Sequence, residues 1–61
     1  MASNYYHGQA IRYIGPRPER DAPRWMDELC SFRHMHMGGE HVEIFTSSGT
    51  KHVQAAHIAA A

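Results

Sequence analysis

Two tight-turn signals, Gly38-Gly39 and Ser47-Ser48-Gly49-Thr50, bracket the run His41-Val42-Glu43-Ile44-Phe45-Thr46, and this arrangement constrains the fold more than any other stretch. The run is rich in β-branched and aromatic residues, so it reads as a strand. A glycine pair supplies the positive φ angles of a two-residue hairpin turn. Ser48-Gly49 has the chemistry of a second turn, leading into the short partner strand Lys51-His52-Val53.

These turns set a register. With Gly38-Gly39 at the turn, His36 faces His41, Met35 faces Val42, His34 faces Glu43, Arg33 faces Ile44 and Phe32 faces Phe45. With Ser48-Gly49 at the next turn, Ile44 meets Val53 and Phe45 meets His52. Side chains alternate across a sheet. One face therefore collects Met35, Met37, Val42, Ile44 and Val53 as a core, and the other collects Phe32, His34, His36, His41, Glu43, Phe45 and His52.

The segment 24–37 has a competing reading. Asp21 fits a helix N-cap, Pro23 a first turn and Gly38 a C-terminal stop. The segment lacks Val, Ile and Thr, and Trp25, Leu29, Phe32 and His36 fall on one helical stripe. Two fold classes follow: mainly β, or an α+β arrangement, β-α-β-β, with a helix at about residues 22–36. The agreement of two independent turns favours the strand.

Upstream, Gln9 to Ile14 alternates imperfectly and Gly15-Pro16 ends it, which predicts a first strand. Pro16 to Arg24 holds three prolines, three arginines and two acidic residues, an extended surface loop. Gln54 to Ile58 reads as one helical turn near the end. The 61 residues allow one small domain, with residues 1–8 as a flexible N-terminal arm and the body over residues 9–58. A domain this short buries only about 60% of its unfolded surface, so its core is thin and a partner or a second copy would support it.

Ile11-Arg12-Tyr13-Ile14-Gly15 followed by a long loop resembles the opening of a Src-homology-3-like small barrel. Asp27-Glu28-Leu29-Cys30-Ser31-Phe32 is similar to the acidic-Leu-Ser-Phe stretch that ends the long loop in that family. Thr50 to Ile58 looks like its closing strand, single helical turn and final strand, so the likeness spans most of residues 9–58. KOW- and Tudor-type barrels share this outline. The resemblance implies a single small mainly β barrel with a long Pro/Arg loop. The paired tryptophans and the Pro-Ser-Asn-Tyr element of peptide-binding members are absent, so it does not carry over proline-rich peptide recognition.

Composition narrows the function classes. Six Lys+Arg balance six Asp+Glu, which argues against a protein that only coats nucleic acid or an anionic membrane. The lone Cys30 excludes an intramolecular disulfide and points to a reduced, cytoplasmic protein. The polar, aromatic start is not a signal peptide, and no apolar run approaches the ~20 residues of a membrane helix. Nothing fixes a catalytic dyad or triad, and a chain this short has little room for a walled pocket, so an enzyme is not expected.

Two surfaces remain as candidates. Arg12, Arg17, Arg20 and Arg24, interleaved with Tyr13 and Trp25, combine the residue types of interface hot spots and point to a protein or protein complex as partner. A free-standing module of this kind is the size of accessory proteins and of phage- or mobile-element-encoded inhibitors of host machinery. The same residues with Lys51 also suit a KOW- or Tudor-like nucleic-acid binder. On the other surface, His34, His36, His41 and Glu43 offer three imidazoles and a carboxylate to Zn2+ or Ni2+. Six histidines would also carry the chain from neutral toward +6 on acidification, the basis of a pH-responsive reading.

Overall fold

The computed structural model describes residues 5–61, apart from the side chain of Met37. Five strands form one antiparallel sheet: β1 (Ala10–Tyr13), β2 (Cys30–His36), β3 (His41–Thr46), β4 (Gly49–Gln54) and β5 (Ile58–Ala60). Their order is β4-β3-β2-β1-β5, so the last strand pairs with the first. The mainly β class holds. The favoured strand reading of the middle segment holds; the alternative, a helix at about 22–36, is replaced by a 3-10 turn, Arg24–Asp27, and then by β2. Local helix propensity loses there because β2 pairs on both sides and sends Cys30 and Phe32 into the core on alternate positions.

Alternation within each strand builds that core. Ile11 and Tyr13 come from β1, Cys30 and Phe32 from β2, Val42 and Ile44 from β3, and Ile58 from β5. Trp25 closes one end from the 3-10 turn, with its ring edge-on to Tyr13 at 5.1 Å. Met35 and Val53, expected in the core, are half-buried against it; Met37, also expected there, has a side chain outside the described set.

The β2–β3 register agrees with the sequence at its turn end and departs from it further on. His36 opposes His41, Met35 opposes Val42 and His34 opposes Glu43. A bulge between Phe32 and His34 then pairs Phe32 with Ile44 and Ser31 with Phe45. That extra residue flips Phe32 off the histidine face, where it was expected, and into the core at 4% exposure. The turn is longer than the expected two residues: Met37–Gly39 form a 3-10 turn between His36 and His41, with positive φ of 66° at Gly38 and 97° at Gly39.

The β3–β4 register is displaced by two residues from the expected one: Glu43 opposes His52 and Val42 opposes Val53. Thr46 is the cause. Its buried hydroxyl donates to the Gly49 carbonyl at 2.8 Å and accepts the Ser48 N–H at 3.0 Å. This closes the turn around Ser47-Ser48 and draws Gly49 into β4 opposite Thr46. A two-residue slip keeps every side chain on its face, but it brings His52 beside Glu43.

The long loop is tied down rather than free. Tyr13 Oη donates to the Pro16 carbonyl at 2.7 Å. The Arg17 guanidinium pairs with the Asp27 carboxylate and donates to the Met26 carbonyl. Asp21, the N-cap of the alternative helix reading, instead takes a left-handed φ of 57° within the loop. Of the expected N-terminal arm, residues 1–4 lie outside the described residues. The rest is docked: Tyr5 stacks on Phe32 at 5.4 Å, and the Gly8 N–H donates to the Phe32 carbonyl at 2.7 Å.

Candidate functional site

Glu43 lies at the centre of the exposed histidine face. The sheet places His34 on β2 and His52 on β4 on either side of it, in one row across three strands. His36 lies two residues further along β2, so it shares the face. All three Nε2 atoms converge on one atom, Glu43 Oε1, at 3.2 Å from His34, 3.3 Å from His36 and 3.2 Å from His52. The imidazoles stand edge-on to one another, His34 to His36 at 5.0 Å and His36 to His52 at 5.6 Å.

His41 is corrected out of this group. It opposes His36 in the ladder, yet the ligand atoms lying within 4.8 Å of one another are those of His34, His36 and Glu43. At that corner the Ala55 N–H donates to the Glu40 carbonyl at 2.9 Å, which folds the turn after β4 over the end of β3. His41 lines the resulting concavity with Glu40, Gln54 and Ala55, and its Nδ1 is buried without a hydrogen-bond partner among the described residues. His52, which sequence reasoning left out of the ligand set, also reaches Glu43 Oε1, at 3.2 Å, although its ring nitrogens lie outside that group of three. The signal that would have found it is Thr46, whose side chain sets the turn.

Hydrogen bonding from His36, opposed by partial desolvation and reinforced by His52 and His34, holds the Glu43 carboxyl below the usual carboxylate range. Its folded-state pKa therefore lies below its unfolded value. The stabilisation it brings is complete above the unfolded pKa and is lost as pH falls through the folded one. In chelator-treated buffer, wild type should exceed Glu43→Gln in urea midpoint near neutrality, and the difference should vanish below the carboxylate range. A pH-independent difference between the two would contradict this.

The arginine surface is rearranged more. Trp25 (5% exposed) and Tyr13 (9%) were expected as partner contacts, and both are core residues. The loop curls back, so the aromatic residues at its two ends cover the end of the sheet. Arg17 is spent on the latch to Asp27 and Met26. Arg12, Arg20 and Arg24 are exposed, with no carboxylate or carbonyl partner among the described residues. Ile14 and Leu29, at the two ends of the loop, are 59% and 55% exposed. Further across the sheet Phe45 is also exposed, with the Arg33 guanidinium 4.9 Å from its ring centroid.

No family model, no curated protein and no solved structure matches the chain significantly. Cys30 is a poor nucleophile: burial, and then the charge of Glu28, push its thiol up. Its Sγ lies 3.6 Å from the carbonyl oxygens of Trp25 and Glu28. No helix among the described residues is long and apolar enough to cross a membrane.

Proposed function

We propose that this chain is a small, non-enzymatic binding module, of Src-homology-3-like outline, that docks on a protein partner through the β1–β2 loop and the sheet surface beside it. One observation carries the reading: Arg12 on β1 and Arg20 and Arg24 on the latched loop have no carboxylate or carbonyl partner among the described residues, while Ile14 and Leu29 are exposed at the loop's base. Exposed arginines steer and orient an encounter with an acidic partner, and burial of the exposed aliphatic side chains supplies affinity. Because Arg17 and Tyr13 already order the loop, binding costs less conformational entropy than it would for a free loop. The complementary partner surface carries carboxylates around an apolar patch.

The test is a binding comparison in which the surface is altered without touching the core. Arg20→Glu and Arg24→Glu should each weaken the complex by at least tenfold, about 1.4 kcal/mol, and Ile14→Glu/Leu29→Glu should abolish it. Thr50→Glu, elsewhere on the sheet, should leave it intact. A complex indifferent to all these changes would overturn the proposal. So would preferential binding to single-stranded oligonucleotides with a steep log-linear salt dependence, the mark of phosphate contacts.

A further inference from the structure

We propose that His34, His36 and Glu43 form a binding site for one divalent transition-metal ion of the zinc type, which His52 joins from β4 by turning toward the ion, so that strands β2, β3 and β4 are clamped together. The site is independent of the docking surface. A tetrahedral ion with bonds of 2.0–2.1 Å to imidazole nitrogen and carboxylate oxygen holds its ligand atoms roughly 3.3 Å apart. The separations from Glu43 Oε1 to the three Nε2 atoms are 3.2, 3.3 and 3.2 Å. The ligand atoms of His34, His36 and Glu43 lie within 4.8 Å of one another, close enough for one ion. His52 lies outside that group, although its Nε2 is 3.2 Å from Glu43 Oε1, and joins the ion only when its exposed side chain turns toward it.

The hydrogen bonding points to the same occupant. One carboxylate oxygen offers about two lone-pair sites, yet three imidazole nitrogens approach Oε1. Three N–H donors on one oxygen oversubscribe it, whereas a cation held by Glu43, His34 and His36 gives each nitrogen bound to it a lone-pair contact. No lysine or arginine pairs with Glu43 among the described residues, so its charge is met only by the imidazoles. Three nitrogens and one oxygen suit Zn2+ better than the all-oxygen cations, Mg2+ or Ca2+. Side-chain exposures of 60%, 44% and 65% for His34, His36 and His52 leave the ion an open approach from solvent.

The clamp has a physical consequence. An ion bound by the folded chain alone stabilises it by mass action, and ties β4, an edge strand, to its two neighbours. Metal staples are a common remedy for domains too small to build a large core.

The untagged chain should be titrated with ZnCl2 by calorimetry, with melting temperature followed in parallel and MgCl2 as control. Wild type should bind one ion and melt at a higher temperature in Zn2+ but not in Mg2+. His36→Gln and Glu43→Gln should weaken binding at least tenfold, and His52→Gln should weaken it measurably. His41→Gln should bind like wild type, although the sequence places it on the same face. Because exposed-site variants are compared with a half-buried one, imidazole nitrogen-15 shifts of the unmutated chain give a second readout. Zn2+ should move the Nε2 signals of His34, His36 and His52 and leave those of His7, His41 and His57 in place. Absence of binding, binding unaffected in His36→Gln/Glu43→Gln, or shifts at His41 in place of His52 would each overturn the proposal.

Discussion

Trp25→Ala should remove about 3–5 kcal/mol of stability, a loss comparable with the whole folding free energy of a chain this short. At roughly 0.05–0.15 kcal/mol per residue, a domain of this length has about 3–9 kcal/mol in total. Trp25 is 5% exposed, lies edge-on to Tyr13 at 5.1 Å, and belongs to the cluster of eight buried apolar residues that forms the core. Its position on a 3-10 turn matters as much as its size. The turn is held by the Met26 N–H to the Pro23 carbonyl at 3.1 Å and the Glu28 N–H to the Trp25 carbonyl at 3.2 Å. Arg17 reaches this turn through Asp27 and Met26, so losing the indole also releases the loop that presents Arg20 and Arg24. Urea denaturation followed by circular dichroism measures the effect. In wild type, indole emission should be blue-shifted and move to the red on unfolding. A variant within 0.5 kcal/mol of wild type, the range of ordinary surface changes, would return Trp25 to the role of a partner contact.

What was legible in the sequence was the local chemistry of turns and strands. The β2–β3 hairpin follows from Gly38-Gly39 because a glycine pair has few other uses between two alternating runs, and the pairings from His36–His41 to His34–Glu43 came with it. Two non-local events escaped. The bulge before His34 is driven by burial of Phe32 under Tyr5, a contact across 27 positions that no local window contains. The Thr46 hydroxyl, which holds the β3–β4 register two residues from the expected one, acts through two hydrogen bonds inside a turn whose composition suits either register. The candidate site followed the same division. His34, His36 and Glu43 were found because period-2 alternation is robust to a two-residue slip, whereas the choice between His41 and His52 depends on the slip itself. Tyr13 and Trp25 were misplaced for a related reason: a loop that folds back over the sheet end turns its flanking aromatics inward, and composition cannot show which way a loop curls.

The same inward curl makes Gly15 the second position where a small change should have a large effect. Gly15 follows β1 at the start of the loop, beside the 3-10 turn Ala55–His57 that precedes β5. The two segments are joined by the Ile14 N–H donating to the His57 carbonyl at 2.7 Å. A Cβ at position 15 would lie 2.5 Å from His57 Cγ and 2.6 Å from His57 Cβ, distances at which something must shift. The requirement is steric, not conformational, since Gly15 is not among the glycines with positive φ. Gly15→Ala should therefore destabilise by about 1–3 kcal/mol, the usual cost of overpacking, even though alanine has the better propensity for ordered backbone. The imidazole cannot simply rotate away, because the clash includes its Cβ, and its ring already packs edge-on against Tyr13 at 6.2 Å. This gives the test its discrimination. Pairing Gly15→Ala with His57→Ala keeps the Cβ contact and should restore only part of the loss. Pairing it with His57→Gly removes both contacts, and should restore more relative to the His57→Gly single variant. Equal non-additivity in the two cycles would place the strain elsewhere, whereas full additivity in both would show that β1 and the turn before β5 do not approach this closely.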